Sequence, residues 1–290
     1  MAPMGANQDH RFVLDEILRR QHGVITRAQA LACGLTPGFL RHQVNARRWR
    51  RLRPGIFATF TGPLPRPARL WAAVLAAGRG ACLSHESAAE LQGLADPVEP
   101  IHITVPGDRT VRRIPGVRIH RSARVAASVH PVREPPQTRI EETVLDLTQT
   151  APDLTTAYDW IARAVGARRT TPRLLLAALA RRPKMRRRRE LREGLGDVAA
   201  GCLSVLERSY RRDVELAHGL PRADRQVPVA TRRRRNYLDA RYREYTTRVE
   251  LDGRAAHPYG QRFRDMKRDN AGVRAGDATL RCHRPDCTIP

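Results

Sequence analysis

Apolar residues recur at helical spacing from the start of the chain. Val13, Leu14, Ile17 and Leu18 follow a polar opening and predict a first helix that Gly23 stops. Thr26-Arg-Ala-Gln29 is a capping box, in which hydroxyl and amide side chains satisfy each other's free backbone N–H groups. It starts a short helix that ends at Gly34. Thr36-Pro37 supplies an N-cap followed by proline at the first helical position, and a third helix runs to about Asn45. Trp49-Arg-Arg-Leu-Arg-Pro-Gly-Ile-Phe57 then suits a hairpin turning at Pro54-Gly55. Three short helices and a hairpin predict a winged helix-turn-helix over residues 1–60.

The next segment, 61–180, reads as an α+β middle region. A helix over Arg69–Ala77 precedes Leu83-Ser-His-Glu-Ser-Ala-Ala-Glu-Leu91, a second helix capped by Ser84. Ile101–Val105 and Val117–His120 read as strands joined through Pro106-Gly107. His102 and His120 on those strands could face each other, but no third ligand stands near them in sequence, so they read as surface residues. Thr138-Arg-Ile-Glu141 is a further capping box, ahead of Val144, Leu145 and Leu147. Helical patterns continue over Leu154–Val165 and from Thr171-Pro172. From Arg181 to Arg192 eight cations face one acid, and this run predicts a domain boundary.

Residues 195–290 follow a different pattern. A helix from Ser204 to His218 is followed by strand-like runs Arg225–Val229, Tyr237–Tyr242 and Thr247–Leu251. A polar helix over about Gln261–Arg274 and a last strand near Ala278–Cys282 complete an α-β-β-β-α-β core. The expected fold class is therefore mixed α/β in three parts.

Composition sharpens this picture. Lys and Arg number 53 against 29 Asp and Glu, a net charge of +24. Such an excess repels itself in a compact fold and calls for a polyanion, of which DNA or RNA is the simplest. Arg47, Arg48, Arg50, Arg51 and Arg53 would flank a groove at the predicted wing, and Arg186, Arg187, Arg188 and Arg189 would form a second backbone clamp. Five scattered cysteines form no CxxC pair, which excludes a zinc knuckle and a disulfide framework. The opening MAPMGANQDHRF lacks a signal peptide's apolar run, and no stretch approaches the ~18 apolar residues of a membrane span. The expectation is a cytoplasmic protein without a membrane partner.

Candidate chemistry gathers in the C-terminal hairpin. With a turn at Glu244-Tyr245, Asp239 falls opposite Glu250, and alternation puts Asp252 on the same face while Val249 and Leu251 point to the core. Converging carboxylates repel unless a hard cation relieves them, which points to Mg²⁺ or Mn²⁺ able to activate water on a phosphate. The same acids could instead pair with Arg241, Arg248 and Arg254. Glu207 could join the metal or simply serve the Ser204-x-x-Glu207 capping box.

Leu238-Asp239, Val249-Glu-Leu-Asp-Gly253, His257, Arg264-Asp265 and Arg268-Asp269-Asn270 together resemble a domain family related to very-short-patch-repair endonucleases, in the PD-(D/E)XK nuclease superfamily. His22-Gly-Val-Ile-Thr26, Arg53-Pro-Gly55, Leu83-Ser-His-Glu-Ser-Ala-Ala89 and Glu142-Thr-Val-Leu-Asp146 resemble the AbiEi-type winged-helix antitoxin domain. The first resemblance implies metal binding by Asp239, Glu250 and Glu207, with Asp252 standing where the superfamily carries lysine. It implies an acid–base role for His257. Arg264 and Arg268 lie one helical turn apart, as do Asp265 and Asp269, and could bind phosphate or pair with those acids. Two functions are then open: a divalent-metal-dependent DNA endonuclease, or a non-catalytic, antitoxin-like DNA-binding regulator. A cognate toxin or a second copy of the chain would be the protein partner.

Overall fold

The computed structural model describes residues 4–199, 210–229, 236–252 and 278–283. Mixed α/β structure with three small sheets makes up two compact units, Met1–Leu147 and Thr148–Pro290.

The first unit opens with helix α1 (Met4–Arg20), strand β1 (Val24–Thr26) and helices α2 (Arg27–Ala32) and α3 (Pro37–Asn45). The capping box forms as the spacing predicts: the Gln29 amide N–H donates to Thr26 Oγ1 at 3.1 Å, and the Thr26 N–H to Gln29 Oε1 at 3.0 Å. Thr36 caps α3 in the same manner, accepting from the Phe39 N–H. The wing is β2 (Arg50–Arg53) and β3 (Ile56–Ala58), antiparallel, with β3 also pairing β1. Gly55 turns it at φ +75°, a left-handed conformation that a Cβ disfavours. Leu14, Ile17 and Leu18 pack with Ile25, Leu40 and Phe57. Val13 is 47% exposed, because it falls outside the stripe that Leu14, Ile17 and Leu18 define.

The winged helix runs directly into the rest of its unit through helix α4 (Arg66–Ala77). This helix sets Ala68 and Ala72 against Val24 and Ile56 on one side. On the other it sets Leu70, Ala73, Val74 and Ala77 against Leu83, Ile101, Ile103 and Val105. That second core belongs to β4 (Cys82–Leu83), helix α5 (His85–Leu91), β5 (Ile101–Pro106) and β6 (Val117–Ser122). Arg66 ties α4 to α5, its Nη2 2.6 Å from Glu90 Oε2.

The two strands joined through Pro106-Gly107 run parallel, with His102 against Arg118 and Thr104 against His120. Ile114, buried in the connecting loop, anchors the return crossing that a parallel pair needs. One local expectation changes here. Thr138 does not cap the helix α7 (Ile140–Thr150) through a box with Glu141. Its backbone bridges Val129, and its hydroxyl lies 2.6 Å from that of Thr143. A short helix α6 (Val125–Ser128) precedes it.

In the second unit, α8 (Leu154–Gly166) and α9 (Pro172–Ala180) start at the caps Asp153 and Thr171. The basic run Arg181–Arg192 leads into α10 (Arg188–Ala199), which packs on α8 and α9 through Leu191 and Leu195. A π-helical segment, Tyr210–Leu216, lies within the expected Ser204–His218 helix. It precedes β7 (Asp224–Val229), β8 (Asn236–Tyr242), β9 (Thr247–Asp252) and β10 (Ala278–His283). The sheet order is β10-β9-β8-β7, with β10 parallel to β9. Glu215 and Arg225 form a buried ion pair, and the Tyr242 hydroxyl donates to Glu215 Oε1 at 2.9 Å. The expected helix over Gln261–Arg274 lies outside the described residues.

Gly194 gives a direct test of the α8–α10 contact. A Cβ there would stand 2.0 Å from Tyr158 Cε1. Tyr158 is buried and its hydroxyl donates to the Glu190 carbonyl at 2.5 Å, so the ring cannot swing aside without losing that bond. Gly→Ala within a helix normally gains about 1 kcal/mol, whereas overpacking costs about 1–3 kcal/mol. Gly194→Ala should therefore lower Tm by several degrees; an unchanged or raised Tm would refute the contact.

Candidate nucleic-acid interface and histidine cluster

Between α3 and the wing lies a cleft of about 460 Å³ whose rim carries Arg27, Arg41 and Arg51. Each is there for a local reason. Arg27 comes directly after the Thr26 cap, and its backbone N–H donates to Gly55 O at 2.8 Å, closing α2 onto the wing turn. Arg41 lies on the face of α3 opposite the buried Gln43 and Leu40, beside the exposed His42 and Asn45. Arg51 points outward from β2, opposite Phe57 in the ladder. Trp49 sets the angle between helix and wing, its ring 6.1 Å from Phe39 edge-on and 6.4 Å from Phe57. Arg47, at φ +53°, and Arg48 are exposed just past α3.

The other arginines expected at a groove are less uniform. Arg50 is half-buried rather than exposed, with its Nε enclosed. Arg53 donates to the Pro115 carbonyl at 2.8 Å and so braces the wing against the β5–β6 loop. In the second clamp, Arg187 is a structural residue. Its guanidinium donates to the carbonyls of Ala151, Pro152 and Asp153 at 2.7–3.0 Å. Arg188 donates to Arg182 O at 3.2 Å, and the exposed Arg189 pairs with Glu193 at 3.0 Å. Arg186 is exposed. Arg27 and Arg41 were not singled out by sequence, because neither lies in a charge run; only their helical phase carried the signal.

In the C-terminal hairpin β8 and β9 pair Ala240 with Val249, Arg241 with Arg248 and Tyr242 with Thr247. Val249 and Leu251 pack with Ala240 and Tyr242 in the core, and Glu250 is buried on the opposite face with Arg248. Asp239 and Asp252 stand on the backbone of β8 and β9. Glu207, His257, Arg264 and Arg268 lie outside the described residues.

A second cluster joins residues far apart in sequence. His85, at the first position of α5, stacks on His120 of β6 with ring centroids 3.8 Å apart. His120 Nε2 lies 3.2 Å from His102 Nδ1, and Glu86 Oε2 lies 2.9 Å from that same Nδ1. The Glu86 contact has ion-pair distance without hydrogen-bond geometry, and this buried oxygen has no hydrogen-bond partner. Ser84 leaves its helix-capping role to hold the cluster: its Oγ lies 3.0 Å from His85 Nδ1 and accepts from Thr104 Oγ1 at 2.7 Å. Ser87 Oγ accepts from the His102 N–H. Parallel pairing still leaves His102 and His120 on one face, so the expected meeting occurs, but buried and with a third imidazole. Some seventeen residues separate successive histidines, a spacing with no ligand signature; only the fold brings His85 to the others.

Burial pushes His120 down from its ordinary 6.5 to about 4, and His102 and Arg118 add to the fall. For Glu86 burial acts upward. Contact with His102, its own backbone amide and the charges of His102 and His85 outweigh it and take the carboxyl from 4.5 to about 2. Between pH 6.5 and 4 the unfolded chain thus binds more protons at His120 than the folded one, and stability falls with pH. Glu86 adds a second loss from 4.5 towards 2. With chelator present, Tm should decline from pH 6.5 to 4, and His120→Gln should flatten that window alone. An identical slope in the variant would refute the assignment.

Among the described residues, no helix is long and apolar enough to cross a membrane. No curated protein matches the chain. Residues 13–59, from within α1 through the wing, match the family model described as transcriptional regulator, AbiEi antitoxin, and it is to such a DNA-binding regulator that this segment is similar.

Proposed function

We propose that the chain is a DNA-binding transcriptional regulator of the antitoxin kind. The observation that carries this reading is the cleft between α3 and the wing, with Arg27, Arg41 and Arg51 on its rim. A helix of this size enters a major groove, where Arg41, His42 and Asn45 would meet base edges or phosphates. The wing and the arginines past α3 would straddle the flanking backbone, which fixes register without reading sequence. The net charge of +24 favours such a polyanion, and the family match over residues 13–59 points the same way. A cognate toxin or a second copy of the chain is the protein partner this reading implies.

Affinity for duplex DNA should fall roughly a thousandfold between about 50 and 200 mM salt if about six phosphates are contacted. Arg41→Ala with Arg51→Ala should reduce the log–log salt slope by about two. Arg187→Ala should leave it unchanged, because its guanidinium is held by carbonyls. A salt-independent affinity, or a slope the double variant does not alter, would exclude this interface.

A second reading starts from the β8–β9 register and takes residues 195–290 as a divalent-metal-dependent endonuclease. Carried one position beyond Ala240 and Val249, that register would oppose Asp239 to Glu250. Glu207, Asp239 and Glu250 would offer the oxygen donors that Mg²⁺ or Mn²⁺ prefers, with Asp252 and His257 beside them. Arg264 and Arg268 would bind DNA. Asp239→Asn should then abolish Mn²⁺-supported nicking of plasmid DNA and leave binding intact. Wild-type protein that binds DNA yet never cuts it with either ion would leave the regulator alone standing.

A further inference from the structure

Three imidazoles and a carboxylate seldom meet by packing alone. Buried imidazole is polar, and bringing ring nitrogens to 3.2 Å leaves room for one proton between two lone pairs. The backbone at His85 adds a cost, since φ is +49°, the left-handed region that a non-glycine residue enters against strain. That conformation turns the His85 ring onto His120. Strain held at a polar cluster is the pattern expected where a ligand stabilises the arrangement.

We propose that His85, His102 and His120 bind one Zn²⁺ ion, with the Glu86 carboxylate beside it. Their donor atoms lie close enough for it, once the stacked His85 and His120 rings turn their nitrogens toward one ion. His85, His102 and His120 offer ligand nitrogens all within 4.8 Å of one another. In a tetrahedral zinc site with bonds of about 2.0–2.1 Å, neighbouring donors stand roughly 3.3 Å apart. The 3.2 Å between His120 Nε2 and His102 Nδ1 is such an edge. Imidazole suits zinc, whereas Mg²⁺ and Ca²⁺ prefer oxygen.

The surroundings match the role too. Ligating histidines are oriented by a hydrogen bond at the second ring nitrogen. Ser84 supplies it at His85 Nδ1, so that the metal takes Nε2, and Thr104 fixes Ser84 in turn. Glu86 Oε2, buried without a hydrogen bond and 2.9 Å from His102 Nδ1, would lie against the ion's charge. Three protein donors leave a fourth position open on the ion, beside the Glu86 carboxylate. The ion would clamp the start of α5 to both parallel strands.

The test uses the full chain, stripped with chelator and titrated with Co²⁺ and Zn²⁺ alone. Co²⁺ should bind in one equivalent with the strong visible absorption of tetrahedral geometry, and Zn²⁺ should displace it. Zn²⁺ at about a hundred times Kd should raise Tm by about 5–10 °C. His120→Ala, at the least buried of the three histidines, should abolish the band with far-UV circular dichroism unchanged. Glu86→Gln should weaken binding about 10–100-fold, and His218→Ala, exposed and outside the cluster, should behave as wild type. No tetrahedral band in the wild type would overturn the site. So would a band that His120→Ala and Glu86→Gln both leave intact, or one accompanied by thiolate-to-cobalt charge transfer, which would place the ion on cysteine.

Discussion

Helix α4 buries side chains on two faces, and the geometry of the first unit depends on that double burial. Ala68 and Ala72 meet the wing sheet with small side chains that let the backbones approach closely. Leu70 and Val74 fill the space over β5, each worth about 1.5–3 kcal/mol when withdrawn from water. The wing strand β3 lies against one face and β5 against the other. The basic cleft is thus built on one side of α4, and the strands bearing His102 and His120 on the other. Arg66 and Glu90 hold α5 to the same helix, and with it His85 and Glu86.

A second constraint concerns what arginine is for in this chain. Composition counts every guanidinium as a cation able to meet phosphate, but a planar fork of five donors is equally suited to backbone carbonyls. Arg187 closes the turn before α8 with three carbonyls, and Arg53 braces the wing with one. Their charge still contributes to the long-range field. Their donors are engaged with the protein. The outward surface of the winged helix is therefore defined by Arg27, Arg41, Arg47, Arg48 and Arg51.

What could be read from the sequence was what is local. Thr26 with Gln29, Thr36 with Pro37, and the wing turn at Gly55 act within a few residues, and each behaves as its spacing predicts. The β8–β9 register was legible because alternating burial and a short turn together allow few alternatives. What escaped depended on distant partners. Ser84 has the sequence of a helix cap, yet Thr104 and His85 compete for its hydroxyl and win. The direction of β6 was open in the sequence, and it is Ile114, drawn into the core from the connecting loop, that accompanies the parallel pairing. The roles of Asp239, Glu250 and Asp252 rest on motif resemblance, because the same alternation suits a metal site and an ion-paired face equally.

The apolar side of the wing sheet has a consequence for how this winged helix could be inherited. Val24 and Ile56 are covered by Ala68 and Ala72, which lie beyond the segment similar to AbiEi regulators. Cut at residue 59 and transplanted to another protein, the winged helix would carry a greasy scar where α4 had been. It would need a substitute helix of similarly small side chains before it could remain soluble. The unit of recognition in sequence is therefore smaller than the unit of exchange, which extends at least through the helix that covers it.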